Sequence, residues 1–357
     1  MKYYTREIWS EEGYQRTAGI KARDDVDAVL GDMGFAALDI EVPAADREHQ
    51  STADKLRFHR DLSRIWSECL TPVGSGDVLL IQFPIVNHSV LLSRCVTQVR
   101  RRGARVILFI HDLEILRTAI GKRVSRRESL RLRLEEESLL RNCDGIIVHN
   151  SSMKRKLSEL GFSAGKMVTL GIFDYLVPEA GFSTAEYEGP VVIAGALRPH
   201  KAGYAYHLPS GIPFSLYGVG YEGEETRDVQ YFGSFPPDEL PEVMRGSFGL
   251  VWDGDSADTC SGTYGEYMRI NDPHKTSLYL ASGLPVIIWK EAALAPFIEH
   301  YHCGITVSSL EEIPSKIAAM PRTEYDEIVL SAKKMAERLR GGFYTRRAVS
   351  RALEEEL

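Results

Sequence analysis

This 357-residue chain has little for cross-linking, membrane spanning or broad electrostatic attraction. Its five cysteines, Cys69, Cys95, Cys143, Cys260 and Cys303, are odd in number and widely spaced, with no Cys-x-x-Cys pair. A disulfide framework and a zinc ribbon are therefore excluded, and buried thiols are expected. No apolar run approaches the roughly 18 residues of a spanning helix. The longest, Val78 to Val86, is broken by Gln82 and Pro84. The first residues, Met1-Lys2-Tyr3-Tyr4-Thr5-Arg6-Glu7, carry charge where an export signal needs a continuous apolar region, so a cytoplasmic protein is expected. Repeats and low-complexity tracts are also missing.

What is present is an ordinary globular composition, 44% hydrophobic and 26% charged, with a net charge of −7. The length suits two domains. Basic and acidic residues balance nearly evenly up to residue 180, whereas the remainder is markedly acidic, so the halves face different surroundings.

Apolar runs alternate with amphipathic stretches, as in parallel sheets covered by helices. The first half predicts strands at Phe35 to Ile40, Asp77 to Phe83, Arg105 to Ile110 and Asp144 to Val148. Helical patterns fill the gaps at Leu56 to Leu70, Val90 to Arg102, Arg126 to Arg141 and Ser152 to Leu160. Between Phe173 and Pro190 the period is lost and Pro and Gly appear, which marks a linker. The second half predicts strands at Val191 to Ala194, Phe214 to Tyr217, Val229 to Phe232, Phe248 to Trp252 and Val286 to Trp289. Helices are predicted at Pro273 to Ala281, Leu310 to Met320 and Glu324 to Arg340. The expected architecture is α/β: doubly wound Rossmann-like domains over residues 1–175 and 190–342, with a ligand cleft between them. A last helix within 343–357 either closes the second domain or crosses back to the first.

The most informative stretch runs from Tyr264 to Trp289 and contains Asn271-Asp-Pro-His-Lys-Thr-Ser-Leu-Tyr-Leu280. Asn271 or Asp272 caps a helix there, with Pro273 at its first position. His274 and Lys275 then fall in the first turn. A lysine opposes the positive helix end unless an anion is bound, so Lys275 points to a phosphate. Gly195-Ala-Leu-Arg-Pro-His-Lys201 adds Arg198 and Lys201, a fork and a point charge suited to a departing diphosphate, or merely the charges of a surface loop. Gly218-Val-Gly-Tyr-Glu-Gly223 spells a dinucleotide fingerprint, but no helical pattern follows it, and that reading fails. Instead it reads as a tight ligand-side loop, with Tyr217 either a surface for a base to stack on or plain core. Asp253-Gly-Asp255 has the form of a cation-binding pair, but with Arg198, Lys201 and Lys275 available no metal or other cofactor is expected. Asp253 is read as positioning a ligand hydroxyl or its own loop.

His111-Asp-Leu-Glu114 directly follows a predicted strand at the cleft edge. Asp112 or His111 there either takes a proton from an incoming hydroxyl, or caps a helix and packs. Thr17 and Gly19 lie in a small-residue turn before a helix and suit close approach to a ligand. From Arg100 to Arg133 there are 11 basic and 3 acidic residues. This excess either docks on an acidic membrane surface or is a solvated helix face. With only Phe109 as an aromatic in it, nucleic acid is not an expected partner.

Together, Thr17-Ala-Gly, His111-Asp-Leu-Glu, Phe248 to Gly254 and Tyr264 to Trp289 resemble one bacterial glycosyltransferase family. It holds the third glucosyltransferase of streptococcal adhesin glycosylation and the β-1,6-galactofuranosyltransferases of polysaccharide assembly. The resemblance implies a GT-B fold with an acceptor domain first and a nucleotide-sugar domain second. It also implies metal-independent hexosyl transfer from a UDP-sugar, usually with inversion, to a glycan hydroxyl of a glycoprotein, polysaccharide or glycolipid, and a homo-oligomer. UDP contacts fall on Thr17, Arg198, Tyr217 and Lys275, and Gly19, Lys201, Asp253, Tyr264, Asn271 and His274 complete the expected donor site. A sugar-nucleotide epimerase or hydrolase, or a non-catalytic nucleotide-sugar binder, uses the same architecture.

Overall fold

The computed structural model describes residues 1–8, 18–41, 52–85, 91–121, 124–177 and 185–354. Thr17 lies outside them. Among the described residues, twelve strands build two six-stranded sheets in which every pairing is parallel. The first comprises β1 (Lys2–Ile8), β2 (Ala36–Glu41), β3 (Val78–Phe83), β4 (Arg105–Ile110), β5 (Gly145–Val148) and β6 (Met167–Thr169). The second comprises β7 (Val191–Ala196), β8 (Phe214–Val219), β9 (Val229–Tyr231), β10 (Phe248–Val251), β11 (Val286–Trp289) and β12 (Gly304–Val307). Parallel pairing requires a crossover for every strand, and helices on the sheet faces supply most of these. Strands covered on both faces read as unbroken apolar runs, as Val106 to Ile110 and Val286 to Trp289 do.

The sequence reading misses β1, β6 and β12. β1 alternates Tyr, Thr and charge, yet it lies between β2 and β3, with Tyr4 opposite both Ala37 and Leu80. β6 has only three residues, and β12, Gly304-Ile-Thr-Val307, is not a continuous apolar run.

Strand order is β2-β1-β3-β4-β5-β6 in the first sheet and β12-β11-β10-β7-β8-β9 in the second. The order reverses between β1 and β3, and between β7 and β10. At such points the two connections leave for opposite faces of the sheet, and open α/β sheets bind ligands there, at the strand C-terminal ends. Period-two alternation in the first sheet sends Leu79, Ile81, Val106, Leu108 and Ile110 to one core. Leu80, Ile107 and Phe109 go to another, which continues through Phe173 and Tyr344 into the second domain.

The final helix, Phe343–Glu354, packs against β5, β6 and the helix Ala18–Asp32. Arg347 donates to the Leu170 carbonyl at 3.0 Å, Arg105 donates to the Ala352 carbonyl at 3.0 Å, and Arg346 pairs with Asp32 at 2.8 Å. No described helix is long and apolar enough to cross a membrane.

Candidate functional site

The loops after β7 and β10, which flank the reversal point of the second sheet, are stitched together. Ala202 and Gly254 form a bridge, and Gly254 N donates to the Lys201 carbonyl at 3.0 Å. This brings Lys201 and Asp253 to one wall. Lys275, from the helix His274–Ala281, reaches the same wall. Its ammonium donates to the Trp252 carbonyl at 2.9 Å and to Asp253 Oδ1 at 2.8 Å. Burial works to lower the Lys275 pKa, but Asp253 outweighs it and the ammonium is held above its ordinary value. Lys201 is lowered, first by burial and then by Lys275 and Arg117, with Asp253 opposing.

One expectation about this segment, its helix cap, is corrected. Neither Asn271 nor Asp272 caps the helix. The position before the first turn is Pro273 itself, no side chain bonds to the first amides, and the Asn271 Oδ1 is buried without a partner. His274 contributes no positive charge. Its ring packs 5.1 Å from Tyr175 and 5.9 Å from Phe173, and burial lowers it to about 4. Lys275 is an ion-paired group with only 14% of its side chain exposed. The Asp253-Gly-Asp255 pair is turned to separate partners, Asp253 to Lys275 and Asp255 to the Ser261 hydroxyl. Among the described residues no group of three or more His, Cys, Asp or Glu has the arrangement of a metal site.

The opposite wall begins where β4 ends. Asp112 Oδ1 accepts from Leu113 N at 2.8 Å and from the Tyr267 hydroxyl at 2.7 Å, while Arg117 donates to Oδ2 at 2.7 Å. Tyr267 belongs to the second domain, in the helix Gly262–Tyr267. Arg117 lies 4.9 Å from the Tyr267 ring and 5.7 Å from Tyr264. Lys201 lies 5.6 Å from the same Tyr264 ring. Tyr264 thus stands between a cation from each domain. The sequence reading did not single out Arg117 or Tyr267. Arg117 was visible as a cation one helical turn beyond Asp112, but the surrounding basic stretch obscured it.

His111 does not line this wall as a charged group. Its Nε2 lies 2.6 Å from Gln82 Oε1, and its ring stacks on Phe173 at 5.6 Å. Burial, then Arg23 and the neighbouring His149 and His274, push it well below the usual histidine value. His149 also packs on Phe173, at 4.9 Å, and its Nδ1 accepts from Asp272 N at 3.0 Å. Burial lowers His149 to about 3. The Asp272 carboxylate accepts from Asn150 Nδ2, and the same amide donates to the Ile270 carbonyl at 3.0 Å. Around Phe173 the two domains are therefore joined by neutral imidazoles and amide bonds.

The remaining expected donor residues have the following surroundings. The face of Tyr217 foreseen for a base is occupied, since Phe232 stacks on it at 5.0 Å and 12° and the side chain is buried. Arg198 is exposed and runs its aliphatic stem over Gly220, in the glycine loop. Gly218 sits at φ 142°, where a Cβ would lie 1.7 Å from the Gly195 carbonyl, so only glycine lets the ends of β7 and β8 approach this closely. Gly19 is exposed in the first turn of the helix Ala18–Asp32, with open space around it.

The arrangement of two parallel-sheet domains recurs in solved structures covering nearly the whole chain. One is the lipopolysaccharide outer core galactosyltransferase WaaB in its apo form, with TM-score 0.62, 11% identity and full coverage of both chains. Another is Anabaena HepE in complex with UDP-glucose, with TM-score 0.58, 12% identity and coverage of 99% of this chain and 98% of that one. The fold is that of the GT-B class.

Models of the glucosyltransferase 3-like N-terminal and C-terminal domains match residues 2–172 and 191–352, and the chain belongs to that family. It is 34% identical over 96% of both chains to the β-1,6-galactofuranosyltransferase WbbI of Escherichia coli K12. To glucosyltransferase 3 of Streptococcus gordonii it is 26% identical over the full length of both.

Proposed function

We propose that this chain transfers a hexosyl group, glucosyl or galactofuranosyl, from a UDP-sugar to a hydroxyl of a glycan acceptor, with inversion and without a metal. One observation carries the reading: Lys201, Lys275 and Arg117 converge from both domains on the loops at the reversal point of the second sheet. The names of the relatives and the UDP-glucose held by HepE support it.

The cations supply fixed positive charge where a diphosphate would leave, aided by the uncapped amides that open the Lys275 helix. Asp112 is the proposed base. A carboxylate has about four acceptor sites, and the three donors on Asp112 leave capacity on a side chain that is 39% exposed. The acceptor oxygen attacks the anomeric carbon, its proton passes to Asp112, and the bond to the diphosphate breaks in the same displacement. His111, held neutral and bonded to Gln82, orients the end of β4 beside that carboxylate. The reading includes a cytoplasmic homo-oligomer, and light scattering of the pure protein tests the oligomer.

The deciding experiment incubates purified protein with isotope-labelled UDP-glucose or UDP-galactofuranose and simple glycoside acceptors, with and without EDTA. Labelled product of inverted anomeric configuration, formed equally in EDTA, is the expected result. A new sugar nucleotide without acceptor would indicate epimerisation, and turnover that collapses in EDTA would refute the metal-free route.

A further inference from the structure

The basic stretch from Arg100 to Arg133 splits in two. Arg100 pairs with Asp144, Arg102 bonds to the Leu70 and Thr71 carbonyls, Arg105 binds the last helix, and Arg117 holds Asp112. The basic residues from Arg126 onward behave differently. The chain from Arg126 to Asn142 runs as one helix with a π-helical segment at Arg133–Glu137. Two of its four acidic residues are turned inward, and Glu128 and Glu137 are half-buried: Glu135 and Glu136 are buried, Glu135 pairs with Arg131, and Glu136 accepts from Glu114 N at 3.1 Å and Ile115 N at 2.8 Å.

The outward stripe carries Arg126, Arg127, Leu130, Arg133 and Leu134. Leu130 and Leu134, one turn apart, are 58% and 46% exposed. Among the described residues no acidic side chain pairs with Arg126, Arg127 or Arg133.

We propose that this stripe docks the enzyme on a bilayer rich in anionic phospholipid, the leucines entering the headgroup layer and the three arginines meeting phosphate. Charge complementarity selects this occupant. A symmetric contact with a second copy would set the arginines against one another, and no aromatic side chain lies in the stripe to stack on nucleic-acid bases. The face also serves the cleft. Glu136 holds the N-terminus of the helix Glu114–Ala119, whose Arg117 grips Asp112. A hydroxyl carried on a lipid would thus be met close to the proposed base. The docking face stands on its own surface chemistry and does not require the donor assignment.

The test is sedimentation of the full chain with vesicles of phosphatidylcholine alone or with roughly 30% phosphatidylglycerol. Wild type is expected to pellet only with the anionic vesicles and to be released by about 0.5 M salt. Each arginine among Arg126→Gln, Arg127→Gln and Arg133→Gln should weaken partitioning about fivefold. Leu130→Ser with Leu134→Ser should weaken it about tenfold, while UDP affinity and far-ultraviolet dichroism stay unchanged. The proposal is overturned by equal pelleting with neutral lipid, by no pelleting, or by variants that bind as wild type does. Stronger binding to a short duplex, or loss of a dimer in the leucine variant by light scattering, also overturns it.

Discussion

The Tyr267 hydroxyl of the second domain donates to Asp112 Oδ1 of the first at 2.7 Å. One hydrogen bond therefore ties the proposed base to the position of the opposite lobe. Tyr267→Phe keeps the ring under Arg117 and removes the donor to Asp112, together with an acceptor for Leu113 N at 3.2 Å. A bond to a charged group contributes about 1.5–3 kcal/mol. Transfer should slow by about 10- to 100-fold while the Kd for UDP stays within about twofold. Steady-state kinetics beside calorimetry checks this, and an unchanged kcat would separate Asp112 from the chemistry.

Lys275 and Asp253 form a partly buried pair on the donor wall. Lys275→Ala should weaken UDP binding about 10- to 100-fold, as loss of one charge-assisted contact predicts. It also strands Asp253 and lowers the Tm. Adding Asp253→Asn should recover the Tm but not the affinity, because only the lysine meets phosphate. Calorimetric titration with UDP and a thermal scan read the two effects separately, and unchanged affinity in Lys275→Ala overturns the phosphate assignment.

Asp272 is raised to about 8 by burial, opposed by the Asn150 amide. A carboxyl whose folded value lies above its unfolded value of about 3.9 binds its proton more tightly when folded. Stability should therefore fall as pH rises from about 4 to about 8 and level off beyond. Asp27 and Glu136, each raised to about 7, add to the same slope. On the acid side His149 and His274, lowered to about 3 and about 4, lose stability as pH falls below the unfolded value of about 6.5. Urea midpoints across this range should show a shallower alkaline decline in Asp272→Asn than in wild type. Parallel profiles would remove Asp272 from the linkage.

Gly218→Ala should prevent the ends of β7 and β8 from meeting, since the added methyl would lie 1.7 Å from a backbone oxygen that has no room to withdraw. Both the left-handed backbone and the clash oppose it. The expected outcome is little soluble protein, or a Tm lowered by several degrees or more. Gly19→Ala, in open space at a helix start, should leave the Tm within about a degree or two.

Much of the architecture was legible in the residues because parallel strands buried on both faces must be continuously apolar. Val78 to Phe83 and Val286 to Trp289 could hardly be anything else. β1 was hidden because its buried residues, Tyr3, Tyr4 and Thr5, are not a typical apolar run. At the site, Lys201, Asp253 and Lys275 were recognisable as charges beside predicted strand and helix ends. Their mutual pairing was not. The contact of Tyr217 with Phe232 was not legible, because an aromatic after a strand reads alike whether it faces a ligand or another ring.

The sequence alone determined the alternation of strands and helices, the division near Phe173 to Pro190, and the lack of any long apolar span. Each is a local property, set by the side-chain period and by proline and glycine. Only the tertiary structure decided that Asp112 meets Tyr267 across 155 residues, that Glu135 and Glu136 turn inward while Leu130 turns out, and that Asp253 neutralises Lys275. Such choices depend on which distant groups share a desolvated space, where an unpaired charge or donor is costly, and that requirement appears only once the sheets have brought the loops together.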